Sequence, residues 1–377
     1  MVKIKPEKKK IALLLESLDL GGIGRVTLIL AEGFAKQGYD VDLVVGKKQG
    51  LFLEQVPSNV NLVDLRVSRL VFSLNRIAAY LKQAKPDHLI SAKERVNVAA
   101  LLARRLSGVN PRLIVSVHAN NSAEIANYGA SLYRKIIIST ARRTYRWADR
   151  VVAVSEGVAD DVANLFLIPR EEISVIHNPI LNKDLKDKMN EPVDHPWFKK
   201  GDYRLILGMG RLVKQKDFLT LIRSFVLVKK AVPEAKLMIF GDGRERKLLE
   251  REIRSLNLYH DVSMPGLIEN PFKYLAKADL FVLSSNCEAL PTVLIEAMAT
   301  GTPVVSTDCP SGPSEILDNG KYGPLVPVGD SKALARAVLN VLKDPTDREL
   351  LINRANDFTV DKAVEKYLDL IKGLYKG

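Results

Sequence analysis

Two cysteines, Cys287 and Cys309, are all that this chain of 377 residues carries. So few leave no disulfide framework, and no Cys/His spacing of a zinc site accompanies them, so a reducing cytoplasm is the expected setting. Long apolar runs are also missing. Stretches such as IALLL are strand-sized, far short of the roughly 18 consecutive apolar residues of a membrane span. The basic start MVKIKPEKKK is followed by only five apolar residues before Glu16, too few for the core of a secretion signal. Aromatic residues make up 6% of the chain, and no zinc-finger or RNP-like motif appears, which argues against nucleic acid as a partner. A dinucleotide fingerprint is absent as well. In GGIGRVT the third glycine of G-x-G-x-x-G is replaced by Thr27, and in GDGRER by Arg246. The one D-x-D, Asp40 and Asp42, straddles a strand start with no other acidic cluster beside it, so no metal site is expected.

Hydrophobic residues at 47% and a mean hydropathy near zero describe a folded chain, and its length calls for two domains. Net charge is +12 and unevenly placed: residues 1–180 hold 26 Lys+Arg against 17 Asp+Glu, and the remainder 30 against 27. A basic first half predicts an anionic partner. Short β-branched or Leu-rich runs alternate with helical patterns from end to end. Strands are expected at 11–15, 41–45, 61–65, 88–91, 113–117, 150–154 and 173–176, then at 204–207, 236–240, 262–264, 280–283, 304–306 and 325–326. That alternation predicts α/β architecture with parallel sheets covered on both faces. The polar, proline-bearing stretch 178–201 is the expected boundary between domains 1–178 and 190–359, with a last helix at about 360–377 returning to the first. Two such sheets would bind ligands outside the carboxyl ends of their strands.

Several strand-end loops carry groups suited to an anion. GMGRLVKQKD offers Arg211 and Lys216 ahead of a helix; Arg can fork two oxygens while Lys acts as a point charge. Taken alone, the pair also reads as two solvated surface cations. CEALPTVLIEAMATGTP keeps Glu288 and Glu296 around an apolar helix whose first position suits Pro291. The amides of that first turn form an anion site, and Glu296, four residues after Thr292, shares its face one turn deeper. A diphosphate at the helix tip would bring ribose hydroxyls to Glu296 and leave Glu288 facing the group on the other side. Taken alone, a salt-bridged helix carboxylate and an N-terminal acid would explain both.

GRLVKQKD, then GDG, then CEALPTVLIEAMATGTPVVSTD, in this order and at these separations, resemble the donor half of family 4 retaining glycosyltransferases over about residues 208–328. GGIGR after the first strand, His118 after the strand at 113–117 and VIHNPI resemble the first half more loosely. The resemblance implies the GT-B fold: two Rossmann-like, doubly wound parallel-sheet domains facing each other across a cleft, the first binding acceptor and the second the nucleotide sugar. It implies that Arg211 and Lys216 hold the diphosphate, Glu296 the ribose and Glu288 the transferred sugar. Gly21 and Gly22 would lie beneath the phosphates, with His118 near the sugar; Gly210, Gly241, Leu290, Pro291 and Thr292 complete the donor set. The co-substrate would be a nucleotide sugar, with a UDP-sugar preferred and no separate cofactor, and the acceptor a glycan or a lipid-linked glycan at the cytoplasmic membrane face. Ala289 stands where the family usually has glycine, and STDCPSGPSEIL replaces a glycine-rich turn.

The stretch SLYRKIIISTARRTYRWADR, 131–150, joins Arg134, Lys135, Arg142, Arg143 and Arg146 to Tyr133, Ile136, Ile137, Ile138, Tyr145 and Trp147. As a helix it gives a basic, aromatic-edged face suited to anionic lipid, or a plain sheet-covering helix with a solvated side. Other readings are a nucleotide-sugar-binding protein without catalysis, a GT-B phosphorylase, for which no pyridoxal-phosphate lysine is found, and a Rossmann oxidoreductase, disfavoured by the failed fingerprints.

Overall fold

IALLL, HLISA, LFVL and VVST are buried along their whole length, as central strands must be when helices cover both faces of a sheet. The computed structural model describes residues 9–18, 22–50, 52–181, 184–199 and 203–374. They form two units, Met1–Pro179 with Val360–Gly377, and Ile180–Thr359. The first holds β1 (Lys10–Leu15), β2 (Asp40–Val45), β3 (Asn61–Asp64), β4 (His88–Ala92), β5 (Arg112–Val117), β6 (Arg150–Ala153) and β7 (Ile173–Val175). The second holds β8 (Arg204–Met209), β9 (Ala235–Phe240), β10 (Val262–Gly266), β11 (Leu280–Leu283), β12 (Val304–Thr307) and β13 (Leu325–Val326).

Strand order is β3-β2-β1-β4-β5-β6-β7 in one sheet and β10-β9-β8-β11-β12-β13 in the other, and every pairing is parallel. Each order reverses direction once: between β1 and β4, and between β8 and β11. Loops leaving the strands on either side of such a reversal diverge, and the crevice between them is where open α/β sheets take ligands.

The last helix, Val360–Gly373, belongs to the first unit. Its Val364, Tyr367, Leu368 and Ile371, spaced to share one face, join the core formed by β1, β2 and the helix Gly22–Lys36. Gly33 permits the approach: a Cβ there would stand 2.4 Å from Val364 Cγ2. Asp40 and Asp42 sit at the amino end of β2, away from the strand-end loops. Asp40 pairs with Lys10 at 3.0 Å, and buried Asp42 accepts from Tyr80 Oη at 2.6 Å and Asn61 Nδ2 at 2.9 Å. This partnered aspartate serves the fold.

Candidate active site

In the second unit, the loops after β8 and β11 are sewn together. β8 runs into Gly210 and Arg211, then a 3-10 turn, Lys214–Lys216, and the helix Phe218–Ala231. Gln215 Nε2 donates to the Cys287 carbonyl at 2.8 Å, Asn286 N to the Gln215 carbonyl at 2.8 Å, and Ser284 Oγ to the Lys216 carbonyl at 2.9 Å. At the centre Lys216 Nζ lies 2.5 Å from Glu288 Oε1, which also accepts from Ser285 Oγ at 2.6 Å. The two side chains of the ion pair are 14% and 8% exposed, so the charges are mostly withdrawn from water but neutralise each other. Arg211 is exposed, and its guanidinium has no ion-pair partner among the described residues. The loops at this reversal point therefore carry an exposed guanidinium, Arg211, and a fixed ammonium–carboxylate pair.

Glycines set the backbone around it. A Cβ on Gly241, at φ +131°, would fall 1.9 Å from the Gly210 carbonyl oxygen, so the β8 and β9 loops touch main chain to main chain. Gly210 in turn lies against the Lys216 stem, 3.2 Å from where its Cβ would be. Gly312, at φ +86°, brings the turn after β12 onto Pro291, within 2.5 Å of a Cβ position.

The helix after Glu288 is Thr292–Ala299, and Pro291 is its N-cap with ψ 96° rather than its first helical residue. Its carbonyl accepts from Leu294 N at 3.1 Å, which starts the helix one residue later than the sequence reading has it. The amides of Thr292 and Val293 have no intrahelical acceptor. Leu290 is buried in the approach, and Glu296 is 3% exposed one turn in. Burial, with the charge of Glu288 adding, pushes the Cys309 thiol above its ordinary value and keeps it protonated. Among the described residues, no group of three or more His, Cys, Asp or Glu is arranged to hold a metal ion.

In the first unit His118 follows β5, half-buried, and its Nε2 lies 2.9 Å from Ser116 Oγ. Ser116 Oγ is also 3.3 Å from Tyr367 Oη on the last helix, and Asn97 Nδ2 donates to the Ser116 carbonyl and to Tyr145 Oη, each at 3.0 Å. A small pocket lined by Leu13, Thr27, Ala92, His118 and Tyr367 adjoins this chain of polar groups. Burial lowers the His118 pKa to about 4, so the imidazole is neutral at physiological pH. Gly22 opens the helix Gly22–Lys36 with no atom within 4 Å of a Cβ position, while Gly21 lies outside the described residues.

The stretch at 131–150 departs from its expected form. The helix Leu132–Thr144 ends in a 3-10 turn, Tyr145–Trp147, that rotates Tyr145 inward to 1% exposure, and the Trp147 ring lies 3.5 Å from the Arg105 guanidinium. Tyr145 is thus withdrawn from the surface at that end, while Trp147 stays half-buried under Arg105. The exposed apolar groups are instead Leu132, Tyr133 and Ile136 at its start. Sequence reading also leaves out Ser285, Ser116 and Tyr367; a serine three residues before Glu288 is the only local signal among them.

Comparison with known proteins follows the two units. Residues 190–358 match the family described as glycosyl transferases group 1, and residues 20–180 the one described as glycosyltransferase family 4. A lipopolysaccharide core biosynthesis glycosyltransferase, LpsE of Rhizobium meliloti, is 31% identical over 93% of this chain and 96% of its own. The Campylobacter jejuni N-acetylgalactosamine-N,N'-diacetylbacillosaminyl-diphospho-undecaprenol 4-alpha-N-acetylgalactosaminyltransferase is 28% identical over 95% and 96%. Among solved structures, Anabaena HepE in complex with UDP and glucose superposes with TM-score 0.78 at 19% identity, covering 97% of this chain and all of that one, which shares the fold.

Proposed function

The chain belongs to the group 1, family 4 glycosyltransferases of GT-B fold, and from that premise we propose that it moves a hexosyl-type sugar, with retention, from a UDP-sugar to a lipid-linked or free glycan. The observation that carries the reading is the Lys216–Glu288 pair at the β8/β11 reversal, with exposed Arg211 in the same loop as Lys216. Arg211 and Lys216 hold the diphosphate and disperse the charge that grows on it as the bond to the sugar breaks. Such preorganised contacts are commonly the largest catalytic contribution. Glu288, held by Lys216 and Ser285, takes a hydroxyl of the sugar, and Glu296 takes the ribose. With two cations and the amides of Thr292 and Val293 on the diphosphate, the reaction proceeds without a metal. His118 acts as a neutral hydrogen-bonding group toward the sugar, oriented by Ser116. Retention follows the family resemblance.

Two of the similar proteins support the substrate classes. The Campylobacter relative is named for a diphospho-undecaprenol acceptor, and HepE was captured with UDP. No helix among the described residues is long and apolar enough to cross a membrane. The family resemblance supplies the proposed meeting place with a lipid-linked acceptor, the cytoplasmic membrane face. A thermal-shift titration with UDP, GDP and ADP tests the donor assignment, because a ligand that binds only the native state raises stability with concentration. UDP should raise Tm most. A larger rise with GDP or ADP would overturn the choice of base.

A further inference from the structure

The first unit has its own reversal, between β1 and β4, and it carries its own ion pair: Glu16, just after β1, and Arg95, in the first turn of the helix Glu94–Ser107 that follows β4. Around the pair opens a pocket of about 350 Å³, whose lining includes Glu16, Lys47, Ser68, Arg69, Arg95 and Tyr133. Three cations there face one carboxylate. Lys47 and Arg69 are exposed and have no ion-pair partner among the described residues. Arg95 Nε and Glu16 Oε2 are both buried without a hydrogen-bond partner; an added anionic oxygen would relieve the first, and Lys47 and Arg69 leave the pocket cationic despite the second. The pocket thus offers a fork-shaped donor and two further cations at the position where an open α/β sheet binds ligands.

Its rim is apolar. Tyr133, in the lining, is 41% exposed, and its neighbours Leu132 and Ile136 on the same helix are 75% and 55% exposed. Phe72, three residues beyond Arg69, is 70% exposed. Large exposed apolar groups beside a cationic pocket fit an amphiphile better than a free sugar phosphate.

We infer that this pocket holds the diphosphate of a lipid-linked acceptor, with the first isoprenoid units lying over Leu132, Ile136 and Phe72. The inference rests on the glycosyltransferase reading above and adds the acceptor's anionic group and the residues that take it. Isothermal titration of the whole chain with farnesyl diphosphate and with inorganic pyrophosphate tests it, in the presence of saturating UDP so that the second unit's site is filled.

The wild type should bind farnesyl diphosphate at least tenfold more tightly than pyrophosphate. The double variant Lys47→Ala/Arg69→Ala, at exposed positions, should weaken both ligands by about tenfold or more, since a hydrogen bond to a charged group is worth that much or more. Leu132→Ser/Ile136→Ser should erase only the advantage of the farnesyl chain. All variants should bind UDP as the wild type does. Unchanged farnesyl diphosphate binding in Lys47→Ala/Arg69→Ala, with UDP binding intact, would overturn the pocket while leaving the donor reading standing. Loss of binding to phosphatidylglycerol vesicles alone would make it a lipid-headgroup site and equally overturn the acceptor assignment. Absence of UDP binding in the wild type would instead sink the donor reading.

Discussion

Lys216 and Glu288 meet at 2.5 Å with little access to water, so each depends on the other. Lys216→Ala leaves the carboxylate buried and unpaired and should cost about 3–5 kcal/mol of stability. Arg211 is exposed and unpaired among the described residues, so Arg211→Ala should change stability by no more than about 0.5 kcal/mol. Both variants should nonetheless lose transfer by ~10²-fold or more. Chemical denaturation and turnover measured on the same preparations separate the two effects, and near-normal turnover in Arg211→Ala would remove it from the diphosphate. His118 gives a pH signature. Its pKa is lowered by burial from 6.5 to about 4, so on acidification the unfolded chain takes up the proton before the folded one. The stability contributed by the neutral ring is therefore full above pH 6.5 and lost as the pH falls toward 4. His88 is lowered to about 4 in the same way. His118→Gln should flatten part of that acid slope in urea-denaturation midpoints. A slope identical to wild type would show that His118 titrates normally.

Among the elements, the last helix offers the sharpest test, because its docking turns on a single missing atom. Alanine at Gly33 gains up to about 1 kcal/mol of helix propensity. It also forces a Cβ to within 2.4 Å of Val364 Cγ2, and overpacking of that kind costs about 1–3 kcal/mol. The steric effect should prevail, making Gly33→Ala destabilising in the wild type. With Val364 cut back to alanine the same change should become stabilising, and a double-mutant cycle reads the reversal. Equal effects in both backgrounds would mean that the helix does not press on Gly33. The strands were legible because each is a short β-branched or Leu-rich run bounded by turn residues, and all thirteen lie where that pattern puts them. Links between distant residues were not. Lys216 reaches Glu288 across 72 positions and Ser116 approaches Tyr367 across 251, separations that leave no local trace in composition or period. A helical period carried through Tyr145 does not find its inward direction. The 3-10 turn changes the angular step, and the ring faces Asn97 inside. Strand-end loops announced Arg211 and Lys216, but the pairing that withdraws Lys216 from solvent depends on β8 and β11 being neighbours, which only the sheet order reveals.

Across the whole molecule, most of the net positive charge falls before residue 180, and Arg142, Arg143 and Arg146 are exposed on or just after the helix Leu132–Thr144, whose start bears bare apolar groups. Each basic residue near an anionic surface is worth about 1 kcal/mol. Binding to vesicles rich in phosphatidylglycerol should accordingly exceed binding to phosphatidylcholine vesicles and fall as salt is raised. Charge reversal at the three arginines should abolish it without touching UDP affinity. A wild type that ignores anionic vesicles at low ionic strength would assign the basic half to a soluble acceptor. The central claim is sugar transfer at the Lys216–Glu288 site, and product analysis tests it most directly. The protein is incubated with a UDP-sugar and a diphosphate-linked lipid glycan in the presence of EDTA; released UDP is quantified, and the anomeric configuration of the new linkage is read by NMR. The account predicts UDP release coupled one-to-one to a retained α-linkage, undiminished by EDTA and lost in Arg211→Ala. An inverted linkage, activity abolished by EDTA and restored by Mn²⁺, or full activity in Arg211→Ala would contradict it.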